Sequence, residues 1–328
     1  LVAGGLFFFY GRISIGDFTK YILFITMFLK PINRLVNIFE QLQNGMTGFQ
    51  RFVEIMDQKD ETDTGTIEAD ALRGNIVFDH VSFRYENSDA RDVESKVIHD
   101  LSMHIEPGKT VALVGPSGGG KTTICNLIPR FYDVTGGSIT IDGVDVRDLS
   151  LHELRDHIGL APQKGVLFSG TIASNIRFGA PDASAEQVHE AAEIAQATEF
   201  IQSKPTGYDS PIAQGGSNVS GGQKQRLSIA RAIAKDPEIY IFDDSFSALD
   251  FKTDAKLREA LAASCKETKS TVLLVAQRIS SILHADQIIV LDEGKMVGKG
   301  THAELMESCD VYQQIASSQL TKEELANV

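Results

Sequence analysis

Cysteine is scarce in this chain, and Cys125, Cys265 and Cys309 are odd in number and far apart. That excludes a disulfide framework and matches no metal-ligand spacing, so the three read as reduced, structural thiols of a cytosolic domain. Positive charge is also short, with 31 Lys and Arg against 44 Asp and Glu and a formal net charge of −13. No basic run appears, and without clustered Lys and Arg to neutralise phosphates a sequence-independent grip on nucleic acid is excluded. Long apolar runs are missing as well. Tyr21 to Leu29 is nine residues flanked by Lys20, Lys30 and Pro31, whereas a bilayer span needs about 20. By that count a buried soluble helix and a membrane helix fit it alike, and a mean hydropathy of −0.07 excludes a polytopic membrane chain.

What is present is near the average of globular proteins, 42% hydrophobic and 23% charged over 328 residues, enough for one large or two modest domains. The chain opens on Leu1 rather than Met, and Leu1 to Tyr10 is apolar with neither a charged leader segment nor a cleavage site, which reads as part of a longer chain. Gly11-Arg12 and Gly16-Asp17 look like turns. Beyond them Leu35, Phe39, Leu42, Met46, Phe49, Val53 and Met56 recur at steps of four and three, the seam of a helix packed on other helices. A polar, charged stretch from Asp57 cannot bury enough apolar surface to pack and reads as a linker, 57–74.

A second domain starts near Asn75. Strand-like segments at Asn75 to Tyr85 and Val97 to Ile105 lead to three short, wholly apolar runs, Thr110 to Val114, Ile239 to Phe242 and Thr271 to Val275. Continuous apolar strands separated by helical stretches indicate a parallel sheet covered on both faces, hence an α/β fold.

The first of those runs is followed by Gly115-Pro116-Ser117-Gly118-Gly119-Gly120-Lys121-Thr122 and then by the helical stretch Thr123 to Phe131. This is a complete Walker A pattern in its strand-to-helix context. Its glycines let backbone N–H groups curl around phosphate oxygens, the helix start adds partial positive charge, Lys121 reaches the β- and γ-phosphates, and Thr122 ligates Mg²⁺. The second apolar run ends on Asp243-Asp244, placing a carboxylate for Mg²⁺ at the sheet's C-terminal edge as a Walker B strand does. Between them lies Val219-Ser220-Gly221-Gly222-Gln223, opening a helix from Gln223 to Lys235.

That last segment resembles the signature motif of ABC proteins, and Asn75 to Ser317 resembles the nucleotide-binding domain of ABC exporters. The resemblance implies a P-loop NTPase cassette over 75–318 with a mainly parallel core sheet, an antiparallel β subdomain and an α-helical subdomain, followed by a tail at 319–328. It makes Tyr85 the aromatic that stacks on adenine, Thr123 a further nucleotide contact, Gln163 the Q-loop residue and Mg²⁺ ligand beside Thr122 and Asp243, and Ser247 to Asp250 the D-loop. It also implies that 1–56 is the C-terminal fragment of a transmembrane domain, Ile13 to Met56 being its last helix. The expected cofactors are ATP and Mg²⁺, and the expected place is the cell membrane with the cassette on the cytoplasmic side.

Cassettes of this kind work in pairs, each ATP lying between the Walker residues of one chain and the signature of the other. Ser220 can cap its helix and meet a γ-phosphate, and Gly221 and Gly222 permit close approach. Two residues depart from the family pattern. The residue after the Walker B aspartate, usually Glu, is Asp244, a carboxylate about 1.5 Å shorter in reach. The switch position, usually His, is Gln277, which can donate to a phosphate but cannot carry a proton or charge as imidazole does. Every group that holds ATP is intact, so the chain resembles the degenerate-site subunit of heterodimeric, multidrug-type ABC exporters. A homodimer of slow ATPases and a soluble ABC ATPase without transport are the alternatives. The transported substrate is chosen by membrane helices that are mostly absent from this sequence.

Overall fold

The computed structural model describes residues 2–58, 61, 63–68, 72–85 and 97–319. Leu1, parts of the expected linker and all of the expected tail except Gln319 lie outside the described residues. The chain divides into two compact units, Leu1–Thr62 and Asp63–Val328.

The first unit is helical. Helix Val2–Phe9 ends in a turn at Gly11, whose φ of 66° suits a residue without Cβ, and a second helix runs from Ile15 to Met56, 42 residues. The turn expected at Gly16-Asp17 is instead the first turn of that helix. Ser14 is its N-cap, its hydroxyl accepting from the Asp17 N–H, and the Asp17 carboxylate sits where the helix dipole favours an anion. Pro31 lies inside the helix without ending it. An 18-residue window of this helix has a mean hydropathy of 1.5, with none of it buried, because the apolar stretch continues on both sides of Lys30 and Pro31. The seam residues Leu35, Phe39, Leu42, Met46, Phe49 and Met56 do share a helix, but all are exposed. No partner for such a seam lies among the described residues of this unit.

Among the described residues the second unit carries twelve strands, which in chain order are β1 (Ile76–Phe83), β2 (Ile98–Ile105), β3 (Thr110–Val114), β4 (Gly136–Ile141), β5 (Val144–Asp145), β6 (Ile158–Ala161), β7 (Gly170–Thr171), β8 (Pro211–Ile212), β9 (Ile239–Asp243), β10 (Thr271–Val275), β11 (Gln287–Asp292) and β12 (Lys295–Gly300). Six form the central sheet, ordered β12-β11-β3-β10-β9-β6, with every pairing parallel except β11 with β12. A separate antiparallel sheet is ordered β2-β1-β4-β5. The short ribbon β7-β8 belongs to a helical region with helices Ala185–Ile194 and Gly221–Ile233.

Successive side chains of the central strands point to opposite faces, and both faces are dry. Ala112, Val114, Tyr240, Phe242, Val272 and Leu274 join one hydrophobic core. Val111, Leu113, Ile239, Ile241, Leu273 and Val275 join the other, together with Ile124 and Leu127 of helix Lys121–Leu127 and the inner face of the antiparallel sheet. Burial on both faces is why these strands read as unbroken apolar runs. The helix expected over Thr123 to Phe131 is shorter, ending at Leu127 with Ile128 as C-cap, because Pro129 has no N–H to continue the ladder. The helix expected from Gln223 to Lys235 runs Gly221–Ile233.

Candidate active site

The parallel strands β3, β6, β9 and β10 all finish on one edge of the sheet, where a cavity of about 550 Å³ is lined by residues following each of them. Open α/β sheets place their ligand sites at this edge, beyond the carboxyl ends of the strands. After β3 the backbone turns through Gly115, Gly118 and Gly120, with φ of 152°, 83° and 93°. A Cβ on Gly115 would come within 2.0 Å of the Leu291 carbonyl, and one on Gly120 within 2.5 Å of Ile98, so the loop exists only with glycine at both. It delivers Lys121 and Thr122 to the first turn of helix Lys121–Leu127, with Thr123 buried behind them.

The Lys121 ammonium donates to the carbonyls of Gly115 (2.8 Å) and Pro116 (2.7 Å). Its burial lowers its pKa, while the charges of Asp244 and Asp243 push the other way. The Thr122 hydroxyl donates to Asp243 Oδ1 at 3.0 Å. Asp243 closes β9 and Asp244 follows it, at 5% and 6% exposure, and burial raises the pKa of both carboxyls. Asp244 sits at φ 48°, which turns its side chain out of the strand register. Its Oδ2 accepts two amide N–H groups at once, from Gln163 Nε2 (3.0 Å), just beyond β6, and from Gln277 Nε2 (2.7 Å), just beyond β10. Lys121, Thr122, Gln163, Asp243, Asp244 and Gln277 therefore converge in one cavity from four separate stretches of chain.

Tyr85, Gly119, Ser220 to Gln223 and Ser247 to Asp250, all singled out from the sequence, do not line that cavity. Tyr85 packs edge-on against Phe83 and Tyr132 (centroids 4.8 and 5.1 Å), its hydroxyl 3.1 Å from Thr123 Oγ1. Ser220 to Gln223 open the helix Gly221–Ile233 elsewhere on the surface, where Ser220 and Gln223 form a reciprocal capping box. Ser220 and Gly221 are exposed, and a Cβ on Gly221 would meet nothing within 4 Å. Nothing in this fold requires glycine there.

The cavity also has a wall that sequence reasoning missed. Val97, Ile279 and three residues of the last helix, Ile315, Ser318 and Gln319, line it. No local motif marks them, because that helix (Asp310–Gln319) reaches the site only through the folded sheet.

A glycine-rich loop ending in Lys-Thr, a buried aspartate bonded to that threonine, and a capped helix opening on an exposed glycine are therefore arranged on one cassette. The profile of the ABC transporter family matches residues 98–247. The chain carries an ABC transporter ATP-binding domain. Among curated relatives it is 41% identical over 321 residues to YgaD of Bacillus subtilis, by name a candidate multidrug export ATP-binding/permease protein, covering 97% of this chain and 54% of that protein. It is 41% identical over 307 residues to the ATP-dependent lipid A-core flippase of Albidiferax ferrireducens, covering 93% of this chain and 52% of the flippase. The chain thus spans about half the length of the curated relatives it matches. A solved structure of a bacterial Atm1-family ABC exporter with ATP bound superposes with a TM-score of 0.76 at 34% identity, covering 95% of this chain and 54% of that one. The cassette architecture expected from the sequence is the one observed, and the helix Ile15–Met56 is long and apolar enough to cross a membrane, in keeping with the membrane location expected from the sequence and with the exporter relatives.

Proposed function

We propose that this chain is the ATP-binding, ATP-hydrolysing half of a dimeric ABC exporter, and that its own Walker site retains ATP and hydrolyses it slowly while its signature segment completes the partner's faster site. The observation that carries this reading is the state of Asp244. Its Oδ2 is tied down by two amides, Gln163 and Gln277, in a cavity whose phosphate-binding loop is complete. A general base must reach the attacking water and accept its proton. Asp244 is a methylene shorter than the usual glutamate, and neither of its amide partners can accept a proton as an imidazole would.

The Walker residues have the chemistry for ATP and Mg²⁺. Gly115 to Thr123 would wrap the phosphates with backbone N–H groups and the Lys121 charge. Thr122 Oγ1 and Asp243 Oδ1 lie 3.0 Å apart, close to the roughly 2.9 Å separation of neighbouring ligands in an octahedral shell of 2.0–2.1 Å bonds. With Gln163 Oε1 they would form an all-oxygen set suited to a hard cation. When bound, Mg²⁺ would supply charge neutralisation at the β- and γ-phosphates. Tyr85, held edge-on by its two aromatic neighbours, serves the adenine end.

The partner follows from Ser220 to Gln223. These residues lie off their own cavity, yet they combine a capped helix start, which favours an anion, with a glycine, Gly221, that the fold does not demand. A second cassette that presents its own bound γ-phosphate to this segment accounts for both features. Closing the pair on two ATP molecules and opening it after hydrolysis then moves the attached membrane helices, and a lipid-like or drug-like cargo fits the relatives' names.

The test uses the reconstituted full-length pair with the partner's own catalytic glutamate disabled. Asp244→Glu together with Gln277→His should raise the remaining ATPase rate by at least tenfold, since positioned general bases contribute about 10²- to 10⁴-fold. An unchanged rate would show that this site is not limited at these two residues and would favour a homodimer of slow ATPases.

A further inference from the structure

The switch segment after β10 is held by a side chain from the far end of the domain. Gln319, the final residue of helix Asp310–Gln319, donates from Nε2 to the Gln277 carbonyl at 2.7 Å. Its Oε1 accepts the N–H of Ile279 at 2.8 Å. One carboxamide therefore satisfies both backbone groups that flank Arg278, much as a neighbouring strand would. Other backbone ties of the segment are Ala276 N–H to the Leu113 carbonyl (3.4 Å), Ser281 N–H to the Arg278 carbonyl (3.1 Å) and Ile282 N–H to the Ile279 carbonyl (2.9 Å).

The helix that supplies Gln319 is firmly anchored. Tyr312 and Ala316 are fully buried in the core, and the Tyr312 hydroxyl lies 2.7 Å from His302 Nδ1. Positions 312, 316 and 319 follow steps of four and three, so the same helical face that is rooted in the core presents Gln319 to the switch segment. Ile315 and Ser318, on the adjoining face, line the cavity beside Gln319.

We propose that Gln319 is a positioning residue of the nucleotide site, which fixes the backbone at 277–279 so that the Gln277 amide points into the cavity beside Asp244 and toward the γ-phosphate. Gln319 touches neither Asp244 nor the reacting atoms and acts through Gln277. The inference rests on the reading of this cavity as the ATP site. Its consequence is selective: the terminal phosphate lies at the Lys121–Gln277 end, so loss of the latch weakens ATP and spares ADP.

The experiment measures ATP and ADP affinities of the full-length chain in detergent or nanodiscs, by competition against a fluorescent ATP analogue. Gln319→Leu keeps the bulk of the side chain and removes both hydrogen bonds. It should lower the ATP-to-ADP affinity ratio about three- to tenfold, the range of one net hydrogen bond. Gln277→Ala should lower the ratio by the same factor, and the double variant by no more than Gln277→Ala alone, because neighbours acting through one group are not additive. Gln319→Glu, which keeps the acceptor for Ile279 but sets an oxygen against the Gln277 carbonyl, should match Gln319→Leu and guards against a variant that folds poorly. A fall in both affinities together, or multiplicative effects in the double variant, would mean a purely structural role and overturn the proposal. Lys121→Ala separates the two readings: if it leaves ATP affinity unchanged the cavity is not the ATP site, whereas if it abolishes binding while Gln319→Leu and Gln319→Glu leave the ratio intact, only the latch fails.

Discussion

Asp243 and Asp244 are nearly buried carboxyls whose pKa values are raised chiefly by that burial. A carboxyl with a raised pKa in the folded state favours folding most when protonated. Its contribution is fully present below the ordinary aspartate value, about 3.9, and is lost as pH rises through the folded-state value, so at neutral pH both charges weigh against the nucleotide-free fold. Asp243→Asn keeps an acceptor for the Thr122 hydroxyl and removes one charge. It should raise the melting temperature of the nucleotide-free chain at pH 7 by about 2–4 °C, the shift expected of ~1 kcal/mol in a domain of this size, and the gain should vanish near pH 3.5. Differential scanning calorimetry at the two pH values decides it, and a gain that persists in acid would point to packing instead of charge. The same variant should lose Mg²⁺-dependent ATP retention, a trade of function against stability common where sites are strained. At this scale the sequence was readable as far as residue identity. Lys121, Thr122, Asp243, Asp244 and Gln277 stand out by motif, but the joint hold of Gln163 and Gln277 on a single oxygen does not, because it is made across 81 and 33 residues of chain.

Helix Gly221–Ile233 shows how one element can serve two masters. Its buried side, with Leu227, Ile229, Ala230 and Ile233, belongs to the larger core, while its first turn is exposed. Ser220→Ala breaks the capping box and should destabilise the cassette by about 1 kcal/mol, as lost N-caps do. Gly221→Ala has open space for the new methyl and exchanges a poor helix former for the best one, so melting should hold or rise. ATP turnover of the assembled exporter should nonetheless fall at least tenfold, because the methyl intrudes where the partner's phosphate approaches. Unchanged turnover in Gly221→Ala would detach this segment from the partner's site. Elements were legible wherever one physical cause dominated. The dry strands β3, β9 and β10 declare themselves as apolar runs, and Ser220 with Gln223 as a cap. The start of the helix Ile15–Met56 was misread because glycine followed by aspartate serves equally as a turn and as the first turn of a helix, and only the Ser14 hydroxyl on the Asp17 N–H decides between them. The latch at Gln319 had no signal of its own, since a surface glutamine near the end of a helix has many ordinary uses.

For the whole molecule, the exposed apolar face of the first unit and the exporter relatives predict that the full-length protein pellets with membranes and stays there after a high-salt wash, which removes proteins held by charge alone. Recovery in the soluble fraction would sink the exporter reading. The helix Ile15–Met56 has a further mechanical meaning. With 42 residues at about 1.5 Å each it is ~63 Å long, about twice the ~30 Å thickness of a bilayer's hydrocarbon core. Pro31 withdraws one N–H from the ladder partway along and makes that point its most compliant joint. From there to Met56 the rod measures ~38 Å by the same rise. A change of only ten degrees, on the order of ordinary helix flexing, would carry its far end through roughly 6–7 Å by that geometry. Movements of side-chain size at one end of such a lever become displacements larger than a full helical turn at the other.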